Sequence, residues 1–141
     1  MNLETVTASI KKHEGCVLHC YEDHLGYKTI GVGRLIDKVK GGGITEDEAE
    51  YLLKNDIKRV INYLDTHLLW WREQPETVQH FLIEFVFQLG IGNALKFKLA
   101  LAALQNNDME TACNEFRDSR WYQQTTGRAE EMISSLESVS S

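Results

Sequence analysis

The strongest constraint on what this chain can fold into lies just before its midpoint. Ala49, Leu52, Leu53, Ile57, Val60, Ile61 and Leu64 recur at the three- and four-residue spacing that lines one face of an α-helix. Thr45, with Glu48 three residues later, forms a capping box at the start of that stripe. Gly41-Gly42-Gly43, just upstream, is a flexible connection and the only glycine run in the sequence. One helix over about 45–65 follows, and the chain reads differently on its two sides.

Upstream, residues 3–13 read as a helix with the apolar face Leu3, Val6 and Ile10. From Val17 to about Ile36 the period shortens. Asp23, Gly26, Gly31 and Gly33 mark turns, and Tyr21, Tyr27, Thr29, Ile30 and Val32 favour strands, which predicts a small antiparallel sheet. Downstream, Pro75 fits the first turn of a helix burying Val78, Phe81, Leu82, Phe85, Val86 and Leu89. Shorter helices are expected around 95–105, 108–117 and 127–136, with Phe97, Leu101, Leu104, Ala112, Phe116, Met132, Ile133 and Leu136 inward and a serine-rich end fraying from Ser134. The expected class is α+β in a single domain over 1–141. It comprises a sheet lobe at about 14–44, a joining helix at about 45–65, and a helical lobe at about 66–141 together with 1–13. A cleft between two such lobes is a common place for a substrate.

Composition narrows the function classes. With 141 residues and 43% hydrophobic composition, one domain with a real core is expected, acting as a monomer. Fifteen basic against 21 acidic residues leave a formal charge of −6, which argues against a nucleic-acid partner. The longest apolar run falls far short of the ~20 residues of a membrane span, so no membrane insertion is expected. Glu4, Lys11 and Lys12 interrupt any apolar core at the start of the chain, so no signal peptide is expected. Cys16, Cys20 and Cys113 offer no disulfide framework and are expected as buried thiols of a protein made in the cytoplasm. No CxxC or HxxxH spacing suggests zinc, and His19 and His24 beside Cys20 make a poor ligand cluster, so neither metal nor cofactor is expected.

Two acids nine residues apart, Glu14 and Asp23, are the candidates for chemistry. Hydrolysing a glycosidic bond takes one protonated carboxyl for the leaving oxygen and one ionised carboxylate to activate water or attack the anomeric carbon. A helix-end acid and a turn acid sit in environments that can drive their pKa values apart. Each has a plainer reading as well. Glu14 can be a helix C-terminal glutamate in water, and Asp23 an Asx-type turn former before Gly26.

The longer pattern E-G-x5-Y-x-D-x2-G-Y-x-T-I-G-x-G over 14–33 resembles the start of the phage-type, T-even-like lysozymes, which are peptidoglycan muramidases. Later segments resemble the same family in the same order: Ile44-Thr45 with Asp47-Glu48-Ala49-Glu50, Phe87-Gln88-Leu89-Gly90, and Ser119-Arg120-Trp121-Tyr122 with Gln124-Thr125 and Arg128-Ala129.

The resemblance implies a lysozyme-like fold and cleavage of the β-1,4 bond between N-acetylmuramic acid and N-acetylglucosamine. It implies Glu14 as general acid, Asp23 as second carboxylate and Thr29 holding a water against it, an inverting arrangement. It further implies Leu35, Phe87 and Gln88 as substrate contacts, with plain core packing the competing reading for Leu35 and Phe87. Arg128, paired with Glu14, and Trp121, bonded to Gln88, are implied as supports. Peptidoglycan glycan strands are the expected partner. Expression in a host cytoplasm implies a separate holin-type protein for access to the wall.

This chain departs from the family pattern at several places. Ala100 and Glu115 stand where relatives often carry a serine and an asparagine, and Thr126-Gly127 where a proline and an asparagine are common. Arg34 replaces a frequent histidine and is expected to pair with Asp56. The 36–43 segment is short. The rival readings are a catalytically silent peptidoglycan-binding domain and a lysozyme-fold enzyme acting on another glycan such as chitin.

Overall fold

Asn2 opens the first helix: its side chain accepts the Thr5 N–H at 3.1 Å, and α1 runs Leu3–Glu14. The structure, a computed structural model, describes residues 2–139. These residues form two compact units that meet in sequence between Tyr51 and Leu52.

In the first unit α1 stops at Gly15, whose φ of +77° suits a residue without a Cβ and whose N–H reaches back to the Lys11 carbonyl. The expected sheet follows as β1 (Val17–Glu22), β2 (Lys28–Gly31) and β3 (Arg34–Leu35), antiparallel in the order β1-β2-β3. Tyr21 faces Thr29 and Glu22 faces Lys28 across the first pair, and Thr29 faces Leu35 across the second. The register of β1 shifts between Val17 and Tyr21. Past β3 the short 36–43 segment folds back on the sheet. The Gly43 N–H donates to the Leu35 carbonyl, and the Asp37 carboxylate accepts the backbone N–H groups of Lys28 and Val39.

The cysteine expectation needs correcting. Cys113 is buried, but Cys16 and Cys20 are exposed. The reason is position: Cys16 immediately precedes β1 and Cys20 lies on it, and this edge strand has four of its six residues exposed within a sheet of only three strands.

The long helix is α2, Glu46–His67, and the Thr45–Glu48 capping box forms at its start. Its apolar stripe is buried only toward the end, at Val60 and Leu64, while Leu52 and Leu53 are exposed.

In the second unit a short 3-10 turn (Trp71–Glu73) leads through Pro75 into α3 (Glu76–Leu89), which buries Val78, Phe81, Leu82, Phe85 and Val86 as the periodicity predicts, while Leu89, also expected inward, is half-buried at the helix end. The helix expected around 95–105 forms as α5 (Lys98–Gln105), and a short α4 (Ile91–Ala94) that was not expected precedes it. Then come α6 (Met109–Arg117), α7 (Arg120–Gln124) and α8 (Thr126–Glu137). Phe81, Phe85, Phe97, Phe116 and Trp121 make one aromatic cluster, with Phe85 edge-on to Trp121 at 5.0 Å. Such edge-to-face pairs add to simple area burial. The fraying expected from Ser134 is not seen there: α8 continues to Glu137, and Ser135 donates to the Met132 carbonyl. Ser140 and Ser141 lie outside the described residues.

Candidate active site

Glu14 is the last residue of α1, and its side chain meets the turn between β2 and β3. Gly33, at φ +69°, lies so close that a Cβ there would sit 2.8 Å from Glu14 Oε2 and 3.0 Å from its Cδ. The sequence marks Gly31 and Gly33 for turns. What approaches Gly33 within the chain is the Glu14 carboxyl. Gly31 shares the left-handed backbone, at φ +70°, but has open space where a Cβ would be. The two glycines are therefore needed for different reasons, conformation alone at Gly31 and conformation plus room at Gly33.

Asp23 shapes the β1–β2 turn. Its Oδ1 accepts the N–H groups of Leu25 and Tyr27, both at 2.9 Å, an Asx-type arrangement. Its Oδ2 accepts no hydrogen bond among the described residues, so the half-buried carboxylate keeps one oxygen for another role. The turn-forming and chemical readings of Asp23 are thus compatible, one on each oxygen. Thr29 is buried at 4% exposure, and its hydroxyl donates to the Tyr27 carbonyl at 3.0 Å, which leaves the oxygen lone pairs as acceptors. Leu35 is half-buried under Gly42, where a Cβ would fall 2.6 Å from the Leu35 carbonyl oxygen. Glu14, Asp23, Thr29 and Leu35 all belong to the first unit.

Arg34 corrects one expectation. Its guanidinium donates to Glu48 Oε1 at 2.7 Å and to the Gly43 carbonyl, while Asp56 pairs with Arg59 one helical turn on. Glu48 Oε1 also accepts the Thr45 N–H, so a single oxygen serves the capping box and the sheet arginine. The Arg34 hydrogen bond, followed by that of the Thr45 backbone, holds the Glu48 carboxyl down at about 2.

Phe87, Gln88, Trp121 and Arg128 belong to the second unit. The expected amide–indole bond is present, with Trp121 Nε1 donating to Gln88 Oε1 at 3.1 Å. That bond orients the Gln88 amide and leaves its NH₂ without a hydrogen-bond partner among the described residues. Trp121 is buried at 7% exposure, whereas Phe87, at 42%, stands out from the core on the α3 face beside Gln88. Arg128, on the first turn of α8, is exposed and lines an opening of about 380 Å³ with Glu84, Glu131, Met132 and Ser135. Among the described residues no group of three His, Cys, Asp or Glu side chains could hold a metal ion, and no helix is long and apolar enough to cross a membrane.

Comparison with known proteins matches residues 11–137 to the phage lysozyme family model. The chain is 33% identical to the pre-baseplate central spike protein of Enterobacteria phage T4 over 85% of its own length, and it spans only 25% of that larger protein. It is 26% identical to probable T4-type lysozyme 1 of Dictyostelium discoideum, covering 96% of this chain and 95% of that one. A SAR-endolysin of Bacteriophage PS119 is 29% identical over 77% of this chain, which spans 62% of it.

Proposed function

Because the chain belongs to the phage lysozyme family and is by class a glycoside hydrolase, we propose that it hydrolyses the β-1,4 bond between N-acetylmuramic acid and N-acetylglucosamine in peptidoglycan. Glu14 acts as general acid, donating its proton to the departing glycosidic oxygen. The open oxygen of Asp23 takes the opposite role, drawing a proton from water, and the Thr29 hydroxyl accepts from that water to hold it in line. Two carboxyl groups with a water between them lead to inversion.

The observation that carries this reading is the division of labour at Asp23. Oδ1 is spent on the turn at 2.9 Å and Oδ2 is left unengaged, within the unit that also sets Glu14 against Gly33. The NH₂ of Gln88 is the saccharide donor, Phe87 and Leu35 supply apolar contact, and Trp121 holds Gln88 in position. Arg128 serves as a supporting residue of the reaction. No metal or cofactor is required.

Digestion of purified peptidoglycan followed by mass spectrometry of the muropeptides tests the chemistry. Reducing muramic ends are expected. Anhydro ends would replace hydrolysis by transglycosylation, and intact glycan with the protein still sedimenting on the wall would leave only a binding domain. Release of chito-oligosaccharides in preference to muropeptides would move the substrate to chitin.

In the cell we read the chain as an endolysin, made in the host cytoplasm and reaching the wall through a separate holin-type protein. Growth arrest only when a membrane permeabiliser is co-expressed is the expected result. A second reading, wall opening by a lysozyme module of a particle spike, is favoured by the 33% identity to the phage T4 spike protein. Finding the chain in purified particles rather than free in lysates would select it.

A further inference from the structure

The helix that carries Trp121 is only five residues long, Arg120–Gln124, far below the length at which a helix holds itself. Side chains tie it down at both ends. Ser119 Oγ accepts the Tyr122 N–H at 3.1 Å, and the hydroxyls of Thr125 and Thr126 donate to the carbonyls of Trp121 and Tyr122 at 2.8 and 2.7 Å. One further tie reaches beyond these neighbours. The Tyr122 phenol donates to Glu130 Oε2 on α8 at 2.8 Å. Glu130 in turn receives Arg117 of α6 in a two-pronged pair, Nε to Oε2 at 3.1 Å and Nη2 to Oε1 at 2.7 Å. Arg117 also donates to Glu137, and Ser134 donates to Glu130 Oε1. Planar bidentate pairs of this kind fix direction as well as distance.

We propose that Tyr122 and Glu130 are positioning residues for the substrate-contacting amide of Gln88, acting through α7 and the Trp121 indole. The path is continuous. Arg117 fixes the plane of the Glu130 carboxylate, which sets the azimuth of Tyr122 on α7. Tyr122 adjoins Trp121, and Trp121 Nε1 fixes which way the Gln88 amide faces. Thr126-Gly127 follows directly with no proline to stiffen it, so the anchorage of α7 falls to side chains. The competing influence is the burial of the Trp121 ring among Phe81, Phe85 and Phe97, which resists sliding of the ring. A ring held by packing can still tilt, and a tilt is what breaks a directional N–H···O bond. The inference rests on reading Gln88 as a saccharide donor.

The test uses Tyr122→Phe, which removes one hydroxyl and keeps the packed ring. The indole N–H resonance of Trp121, assigned by its loss in Trp121→Phe, should exchange with solvent roughly fivefold faster, in keeping with the modest net worth of one hydrogen bond. The Trp71 indole, bonded to Asp65, should not change. On soluble glycan strands KM should rise by about the same factor with kcat within about twofold, the signature of lost binding common to ground and transition states. Glu130→Ala should reproduce both effects, and Glu130→Gln, which keeps an acceptor for Tyr122, should recover most of the parental behaviour.

Parental exchange and KM in Tyr122→Phe would overturn the proposal. So would equal changes in Glu137→Ala, which cuts the other Arg117 partner and leaves Tyr122–Glu130 intact. The exchange measurement needs no catalysis, so absence of hydrolysis in the parent would sink the proposed function and leave the positioning role separately decided.

Discussion

Replacing Gly33 by alanine puts two separable demands on the molecule. The first is conformational: at φ +69° an L-residue with a Cβ is strained by about 1–2 kcal/mol. The second is contact, because the new methyl would lie 2.8 Å from Glu14 Oε2 where ordinary contact begins at 3.4 Å. Glu14 sits at an exposed helix end, so the side chain yields by leaving its rotamer, which costs of order 0.5–1.5 kcal/mol. The carboxyl has to retreat by 0.6 Å or more to restore contact distance (3.4 minus 2.8), a displacement approaching the ~1 Å that lowers a well-aligned reaction about 10²-fold.

Gly31→Ala is the control, since φ there is +70° and the space is open. Both variants should melt several degrees below the parent at about 3–5 °C per kcal/mol, Gly33→Ala the lower. Initial rates of turbidity loss on purified walls, taken well below either melting point, should fall about 10²-fold for Gly33→Ala and by no more than about threefold for Gly31→Ala. Equal loss of activity in the two variants would show that backbone strain, and not the Glu14 contact, is what the glycine relieves.

Glu14→Gln should fold normally and lose hydrolysis by several orders of magnitude, and more than a few per cent of the parental rate in a well-folded sample would remove Glu14 as the acid. Asp23→Asn should lose most activity and little stability, because an amide oxygen can still accept the Leu25 and Tyr27 N–H groups; thermal melts beside rates check this. Glu48 is held at about 2 in the folded chain, below its ordinary value of 4.5, so its pairing with Arg34 stabilises above the ordinary value and fades as pH falls toward 2. Arg34→Met should therefore lower the melting temperature at pH 7 more than at pH 2.5, and an equal loss at both would rule the pair out. With a net charge of −6, association with an anionic wall should hold steady or quicken from about 10 to 150 mM salt as the Debye length shrinks from roughly 30 to 8 Å. A steep fall in the initial lysis rate would hand control to a local basic rim.

Much of this architecture is legible in the sequence because it rests on periodicity and turn chemistry. The stripe from Ala49 to Leu64 and the α3 face from Val78 to Val86 each run over two turns or more, and the Thr45–Glu48 box marks where the first begins; both helices form, although the α2 stripe is buried only at Val60 and Leu64. What escapes is short or depends on a partner distant in sequence. With five residues α7 is too brief for any period to register, and only Ser119 as its cap signals it. The break between α4 and α5 falls at Leu95-Lys96-Phe97, where neither glycine nor proline marks the boundary.

Arg34 is instructive in a different way. A family register that pairs a histidine with an aspartate suggests Asp56, but an arginine has its own reach. The capping box already presents Glu48 with its carboxylate fixed by Thr45, so an acceptor whose position is settled by local structure captures the longer side chain. The exposed cysteines follow the same logic in reverse. Thiols are usually buried, but β1 is an edge strand of a three-stranded sheet with four of its six residues exposed, Cys20 among them. At the candidate site, residue type and spacing bring forward Glu14 and Asp23, and the family resemblance adds Thr29. What sequence could not supply is the assignment of individual oxygens: one Asp23 oxygen to the turn and one left open, one Glu14 oxygen against Gly33. Those assignments depend on side-chain direction, which spacing along a chain does not encode.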